Sequence, residues 1–375
     1  MARLAWRRGI GGGDGRRHRF AWPLLVALAL LAAAPAGRAM DELSFFRIGT
    51  AATTGTYFQI GGVLASAISK PPGARDCARG GSCGVPGLVA LAQASQGSVQ
   101  NVVAVDAAQI ESGLVQSDVA YWAYNGTAVP GRHCPAPKGE PARAGSTAAL
   151  RNQGPMRDLR AIAALYREDV HIVVRADGPI HSLRDLKGKA VGLGEPESGT
   201  LADARLVLEA AGLNECELKA QYLRLSEAAD ALEQGRIDAF FMMGGYPIPA
   251  ITEVAAMMPM RLLPIPPEVA EHLTQKYPFF RADVIPSGSY PGLDEDTPTL
   301  SATALWVTRT AIDDDLVYAI TKSLWSDATK RLLEASHPAG SRIRLATALD
   351  GLTIPLHPGA ARYYREVGMH IPDGL

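Results

Sequence analysis

The feature that most restricts this chain is a turn that occurs twice. Ile48-Gly49 ends a strand-like run and leads through TAATT to Gly55-Thr56 and a helical pattern, while Val191-Gly192 leads through LGEPES to Gly199-Thr200 and another. A strand feeding a helix through a short loop is a βα unit, and such units in series build a mostly parallel sheet with helices on both faces. A looser echo follows each copy. Ile110-Glu111-Ser112-Gly113 precedes Asp118-Val119-Ala120, and Leu232-Glu233-Gln234-Gly235 precedes Asp238-Ala239-Phe240, with two extra residues before the first Asp. Two related α/β lobes is the economical reading of this doubling.

Periodicity fills in the elements. Phe46 to Gly49 reads as a strand, and Thr56 to Lys70 as a helix with Ile60, Val63, Leu64, Ala67 and Ile68 on one apolar face, stopped by Pro71 and Pro72. Val119 to Tyr121 reads as a second buried strand, and Pro130 to Ser146 as a loop or surface insertion. Further strands are expected at Ala161 to Leu165, His171 to Arg175, Ala190 to Leu193, Leu218 to Leu223 and Ala239 to Met243. Helices at Leu201 to Ala211 and Glu227 to Gln234 separate the last three, and another runs from Leu316 to Trp325.

The doubled turn also carries chemistry. A helix start leaves about four backbone N–H groups without internal partners and bears a partial positive charge, so a loop that lets a ligand approach makes an anion site. Gly55 and Gly199 permit that approach, and the hydroxyls of Thr53, Thr54, Thr56, Ser198 and Thr200 add donors without adding charge. Ordinary N-capping explains either loop alone. Two such loops on facing lobes, at the carboxyl ends of parallel strands, favour binding. Ser98, Gln116 and Ser117 precede or end neighbouring elements, and Gly245 and Tyr246 follow a Met-rich strand. Tyr57, Trp122 and Tyr246 serve equally well as core packing.

Charge and leader narrow the setting. The first 39 residues hold seven Arg and one Asp, a surplus of six positive charges, so the net charge of −1 leaves −7 for the rest. An acidic body repels polyphosphate, which argues against a nucleic-acid partner. The basic leader, the apolar run Ala21 to Ala34 and the small residues around Ala39 read as a secretory signal peptide cleaved after Ala39. The apolar run is shorter than the roughly 20 residues a bilayer span needs. Export to an oxidising compartment suits the four cysteines: Cys77 and Cys83 bracket a Gly-rich loop as a local disulfide, and Cys134 and Cys216 pair if the fold brings them together. Zinc is disfavoured, because neither a Cys-x-x-Cys nor a His pair at helical spacing accompanies these cysteines.

Enzyme signatures are weak. Gly192-Leu193-Gly194 with Gly199 imitates a dinucleotide fingerprint at the wrong spacing, and Glu195 and Glu197 would face a pyrophosphate with like charge. Gly80-Gly81-Ser82-Cys83-Gly84 matches G-x-S-x-G inside the cysteine loop, away from any strand-turn-helix elbow. No nucleophile, base and oxyanion set emerges, so no catalytic residue, metal or cofactor is assigned.

Five ordered segments carry a family likeness: FRIGTAATTGTYFQIGGVLASAIS, QSDVAYWAYNG, LYREDVHIVVRADGPIHSLRDLKGKAVGLGEPESGTLADARLVLEAAGL, EQGRIDAFFMMGG and GLTIPLHPGAARYYREVG. Together they resemble the TAXI family of solute receptors that serve tripartite ATP-independent periplasmic (TRAP) transporters, over about Phe45 to Gly368. The resemblance implies a two-lobed type II periplasmic-binding-protein fold, each lobe a mostly parallel sheet flanked by helices. It implies capture of glutamate or another small carboxylate or amino acid between the lobes, and delivery to a sodium-driven TRAP permease. The family pocket falls on Thr53, Thr54, Gly55, Thr56 and Tyr57, on Ser98, Gln116 and Ser117, and on Ser198, Gly199 and Thr200. Departures occur at Ala51-Ala52, where the family is Gly-rich, and at Glu197, where it has a small residue. An acid facing the cleft, Glu195 or Glu197, would favour an amine-bearing ligand over a plain dicarboxylate.

By analogy with that fold, lobe 1 comprises residues 40–165 plus 305–375 and lobe 2 residues 166–304, with crossings near Leu165 to Asp169 and Thr299 to Ala304. A monomer is expected. An exported α/β enzyme acting on a small acid in the same cleft, and a periplasmic sensor subunit, remain the alternative functions.

Overall fold

A computed structural model describes residues 43–127, 150 and 154–375 of the chain. The leader, the Pro130 to Ser146 insertion and Cys134 lie outside the described residues. The first half of the architecture opens with β1 (Ser44–Gly49) and helix α1 (Thr56–Ile68), followed by the two-residue strands β2 (Ser69–Lys70) and β3 (Val85–Pro86) and then β4 (Leu88–Gln93). Next come α2 (Ser98–Asp106), β5 (Ser112–Gln116), α3 (Ser117–Asn125) and a 17-residue strand, β6 (Leu159–Arg175). The second half adds β7 (Ala190–Gly192), α4 (Gly199–Ala210), β8 (Lys219–Gln221), α5 (Leu225–Glu233) and β9 (Ala239–Gly244). Then follow α6 (Pro249–Met257), β10 (Met260–Leu262), α7 (Pro267–Lys276), β11 (Arg281–Ile285) and the long β12 (Thr297–Arg309). The chain closes with α8 (Asp314–Leu324), α9 (Asp327–Ser336) and α10 (Pro358–Glu366).

One sheet runs through both halves in the order β4-β1-β5-β12-β6-β9-β7-β8. The edge triplets are parallel: β1 lies between β4 and β5 on one side, and β7 between β8 and β9 on the other. Between them β6 and β12 run antiparallel and reach into both halves. The start of β6 pairs with the end of β12, which itself pairs with β5, while residues 169–174 of β6 pair with β9. Two α/β halves joined by two crossing strands are the two-lobed type II periplasmic-binding-protein arrangement. A register irregularity between Thr303 and Leu305 marks where β12 passes from one side to the other.

Apolar residues explain the layers. Phe46 and Ile48 of β1 are fully buried under Ile60, Leu64 and Ile68 of α1, which recur at helical spacing. On the other side Phe240 of β9 packs with Leu232 of α5 and Ile251 of α6.

Two expectations fail for identifiable reasons. Val119 to Tyr121 is helical, inside α3, and the strand lies earlier, at Ser112–Gln116. Val119, Ala120, Trp122 and Ala123 are all buried, a helical face that a short apolar run cannot distinguish from a strand. The two strands expected at Ala161 to Leu165 and His171 to Arg175 are one, because the charged residues between them, Arg167 to Asp169, continue in extended conformation through the crossing.

Candidate functional site

The carboxyl ends of β1, β5, β7 and β9 converge on a small cavity between the halves. The first half contributes Gly55, Thr56 and Tyr57 from the start of α1, Gly97 and Ser98 from the start of α2, and Gln116 at the end of β5. The second half contributes Glu195, Ser198, Gly199 and Thr200 around the start of α4, with an apolar wall of Leu223, Leu225 and Phe241 to Met243. The crossing strand β6 adds Glu168. The cavity measures about 50 Å³, room for a few water-sized groups at roughly 10–15 Å³ each.

The halves touch around this space. The Thr56 hydroxyl donates to the Gly245 carbonyl at 2.8 Å, and the Gln100 N–H donates to the Glu197 carbonyl at 3.2 Å. Gln116 spans the gap: its backbone N–H donates to Ser98 Oγ at 3.1 Å, and its side-chain Nε2 donates to Asp203 Oδ2 on α4 at 2.6 Å. The cleft is therefore seen in a closed state.

Its electrostatics are acidic. Among the described residues the lining includes two ionisable acids, Glu168 and Glu195, and no Lys, Arg or His. Tyr57 Oη donates to Glu168 Oε2 at 2.6 Å, and burial pushes the Glu168 carboxyl well above the ordinary range despite that bond. Burial also lifts Glu195 to about 7, although Arg224 at 3.6 Å opposes the shift. Beneath the cavity the fully buried Asp118 of α3 meets Asp203 of α4. Burial raises both, and their mutual repulsion raises Asp203 further.

Of the residues singled out from sequence, Gly55, Thr56, Tyr57, Ser98, Gln116, Glu195, Ser198, Gly199 and Thr200 are brought together at the cavity. Others stand aside. Thr53 is exposed, and Thr54 offers its carbonyl to the Ala250 N–H at 3.4 Å. Ser117 Oγ accepts from the Thr303 N–H at 3.1 Å, and Gly245 is the cross-cleft partner of Thr56. Tyr246 belongs to a different cavity, on the other side of the crossing strands. Cys77 and Cys83 are joined in a disulfide, and Cys216 is disulfide-bonded as well.

Sequence reasoning passed over Glu168, Asp118 and Asp203. A signal existed: each is an acid set among residues that are otherwise buried, Glu168 in ALYREDVHIVV and Asp203 in LADARLVL. An ionisable group in such a position is a site candidate. Among the described residues no group of three or more His, Cys, Asp or Glu is placed to hold a metal ion, and no helix is long and apolar enough to cross a membrane.

The fold and the cleft define a two-lobed α/β molecule with a small space between its halves, largely apolar and edged by hydroxyls and two carboxyls. The chain belongs to the NMT1-like family, which it matches over residues 48–137 and 134–368. Solved structures to which it is similar include the periplasmic aliphatic sulphonate binding protein SsuA from Escherichia coli, at 15% identity, covering 86% of this chain and 78% of that one with a TM-score of 0.39. The alkanesulfonate-binding protein SsuA from Xanthomonas axonopodis pv. citri bound to MOPS matches at 13% identity, 86% and 84% coverage, and a TM-score of 0.44. A putative L-cystine ABC transporter protein from Listeria monocytogenes matches at 12% identity, 80% and 98% coverage, and a TM-score of 0.44.

Proposed function

We propose that this protein is an exported solute receptor that captures a small amino acid in the closed cleft and hands it to a membrane permease without making or breaking a bond. The observation that carries this reading is the pairing of polar helix starts with buried carboxyls around one cavity. The start of α1, which no side chain caps, and the Ser98 hydroxyl suit a ligand carboxylate. Glu168 and Glu195 suit an ammonium group. An ammonium favours the ionised form of these raised carboxyls, which the second charge of a plain dicarboxylate opposes, so the ligand differs in this respect from glutamate-like dicarboxylates. Opening requires the halves, residues 40–165 plus 305–375 and residues 166–304, to rotate about β6 and β12.

The resemblance of the ordered segments to TAXI receptors supports a TRAP-type permease as the partner, and the basic leader supports export to the periplasm. Both parts of the proposal are open to direct test. A ligand at 100 times its Kd adds about 2.7 kcal/mol to the native state, enough for a visible melting shift. A thermal-shift panel of small neutral amino acids, glutamate, glutamine, 2-oxoglutarate and succinate is expected to respond most to the neutral amino acids, less to glutamate, and not to the two acids without an amine. A shift with succinate and none with any amino acid would refute the ligand class. Uptake into proteoliposomes driven by a sodium gradient without ATP identifies the TRAP partner, and ATP-dependent uptake would exclude it.

A further inference from the structure

Behind the cleft, across the two crossing strands, lies a larger cavity of about 1020 Å³. Neighbouring side chains on a strand point to opposite faces, so β6 sends Glu168 to the cleft and its neighbour Asp169 to this second space. Asp169 is 1% exposed, yet neither of its carboxyl oxygens has a hydrogen-bond partner among the described residues. The Tyr166 hydroxyl is also buried and without a partner, but it lies beside Glu168 and Tyr57, on the cleft side of the strand. Buried polar groups are almost always satisfied, and an orphaned carboxylate on the wall of a cavity asks for a ligand that supplies donors.

A cation stands nearby. The Arg342 guanidinium lines the same cavity, lies 4.0 Å from the centre of the Tyr246 ring and donates to the Tyr246 carbonyl. It is near enough to favour the ionised form of Asp169, but no ion pair within 4 Å joins the two. Of the other charged residues lining it, Asp283 and Arg167 are already paired at 3.3 Å, Arg281 donates to the Pro278 and Phe280 carbonyls, and Asp350 is exposed. What is left is a buried carboxyl and a guanidinium separated by a gap, beside the aromatic rings of Tyr121 and Phe279.

We propose that this cavity is a second binding site, for an α-amino acid with an apolar or aromatic side chain. Its ammonium donates to Asp169, its carboxylate accepts from Arg342, and its side chain lies against Phe279 and Tyr121. The site goes beyond the cleft reading and does not depend on it. Burial holds the Asp169 carboxyl up at about 8, so at pH 7 an arriving ammonium ionises it and a proton leaves.

Calorimetric titration of the full chain with L-phenylalanine tests this, alongside 3-phenylpropionate, which lacks the amine, and 2-phenylethylamine, which lacks the carboxylate. Saturable binding of L-phenylalanine is expected at pH 7, with proton release detected by repeating the titration in buffers of different ionisation heat. Each analogue should bind at least tenfold more weakly. Asp169→Asn should weaken L-phenylalanine at least tenfold and abolish the proton release, and Arg342→Gln, which removes the carboxylate's partner, should weaken it severalfold. No saturable binding, affinity unchanged in both variants, or a complex structure with L-phenylalanine in the cleft would overturn the proposal.

Discussion

The two copies of the Gly-Thr helix start are alike in sequence and unlike in use. At α1 the cap residue is Gly55 and no side chain closes the end, while the Thr56 hydroxyl reaches across to the opposite half. At α4 the cap is Ser198, whose Oγ accepts from the Leu201 N–H at 3.1 Å and donates to the Glu195 carbonyl, and the Thr200 hydroxyl accepts from the Met243 N–H within its own half. Packing differs too. A methyl at Gly55 would meet the Ala52 carbonyl at 3.3 Å, whereas one at Gly199 would sit 1.3 Å from Gln116 Oε1. The first start is open to a guest, and the second is a finished surface against which the opposite half closes. A repeated motif thus fixes a backbone shape without fixing a role.

This contrast can be broken by substitution. The largest effect is expected from Gly199→Ala, which pushes Gln116 off its bonds to Ser98 and Asp203 and should weaken ligand binding by about 2 kcal/mol, roughly thirtyfold. Gly55→Ala should change it less than threefold, and calorimetry on both variants decides whether the two starts really differ. Equal losses would mean that they do not.

Next comes pH. Asp169, Glu195, Glu168 and Asp203 are raised above their ordinary values by burial, so between their unfolded and folded pKa values the native state holds more protons and stability falls as pH rises. His171, His337 and His357 are lowered by burial and act in the opposite direction, but only below about 6.5. The melting temperature should therefore drop from pH 6.5 to 8, with a slope of up to about 1.4 kcal/mol per pH unit for each acid titrating. Asp203→Asn should flatten the slope, and a rising melting temperature over that window would contradict the argument.

Smaller effects separate stability from closure. Ser198→Ala removes the cap of α4 and should cost about 1 kcal/mol of stability by chemical denaturation. Thr56→Val removes a bond between halves, so it should weaken ligand affinity by about 1 kcal/mol with a smaller change in melting temperature. Reversal of the two outcomes would exchange the roles assigned to the two starts.

Much of the sheet was legible because βα units announce themselves locally. The end of β1, the start of α1, and the positions of β7, α4 and β9 follow from glycine turns and apolar spacing. The run after Gln116 reads equally as strand or helix because six apolar and aromatic residues in a row, Val119 to Tyr124, carry no period. At the cleft, polar loops identified Thr56, Ser98 and Ser198, but the closure contacts of Glu168, Asp118 and Asp203 were hidden. Those carboxyls come from β6, α3 and α4, and only the tertiary fold brings them side by side. Thr53 and Tyr246 were drawn in by sequence neighbourhood, yet one faces solvent and the other belongs to the space behind the strands.

Glu168 and Asp169 are consecutive links of one strand that faces two chambers. A slight twist of that ribbon, tightening the front chamber around a guest, must re-aim the carboxyl at the back, and filling the rear must likewise bias the front. Whatever the size of this see-saw, thermodynamics requires it to work equally in both directions.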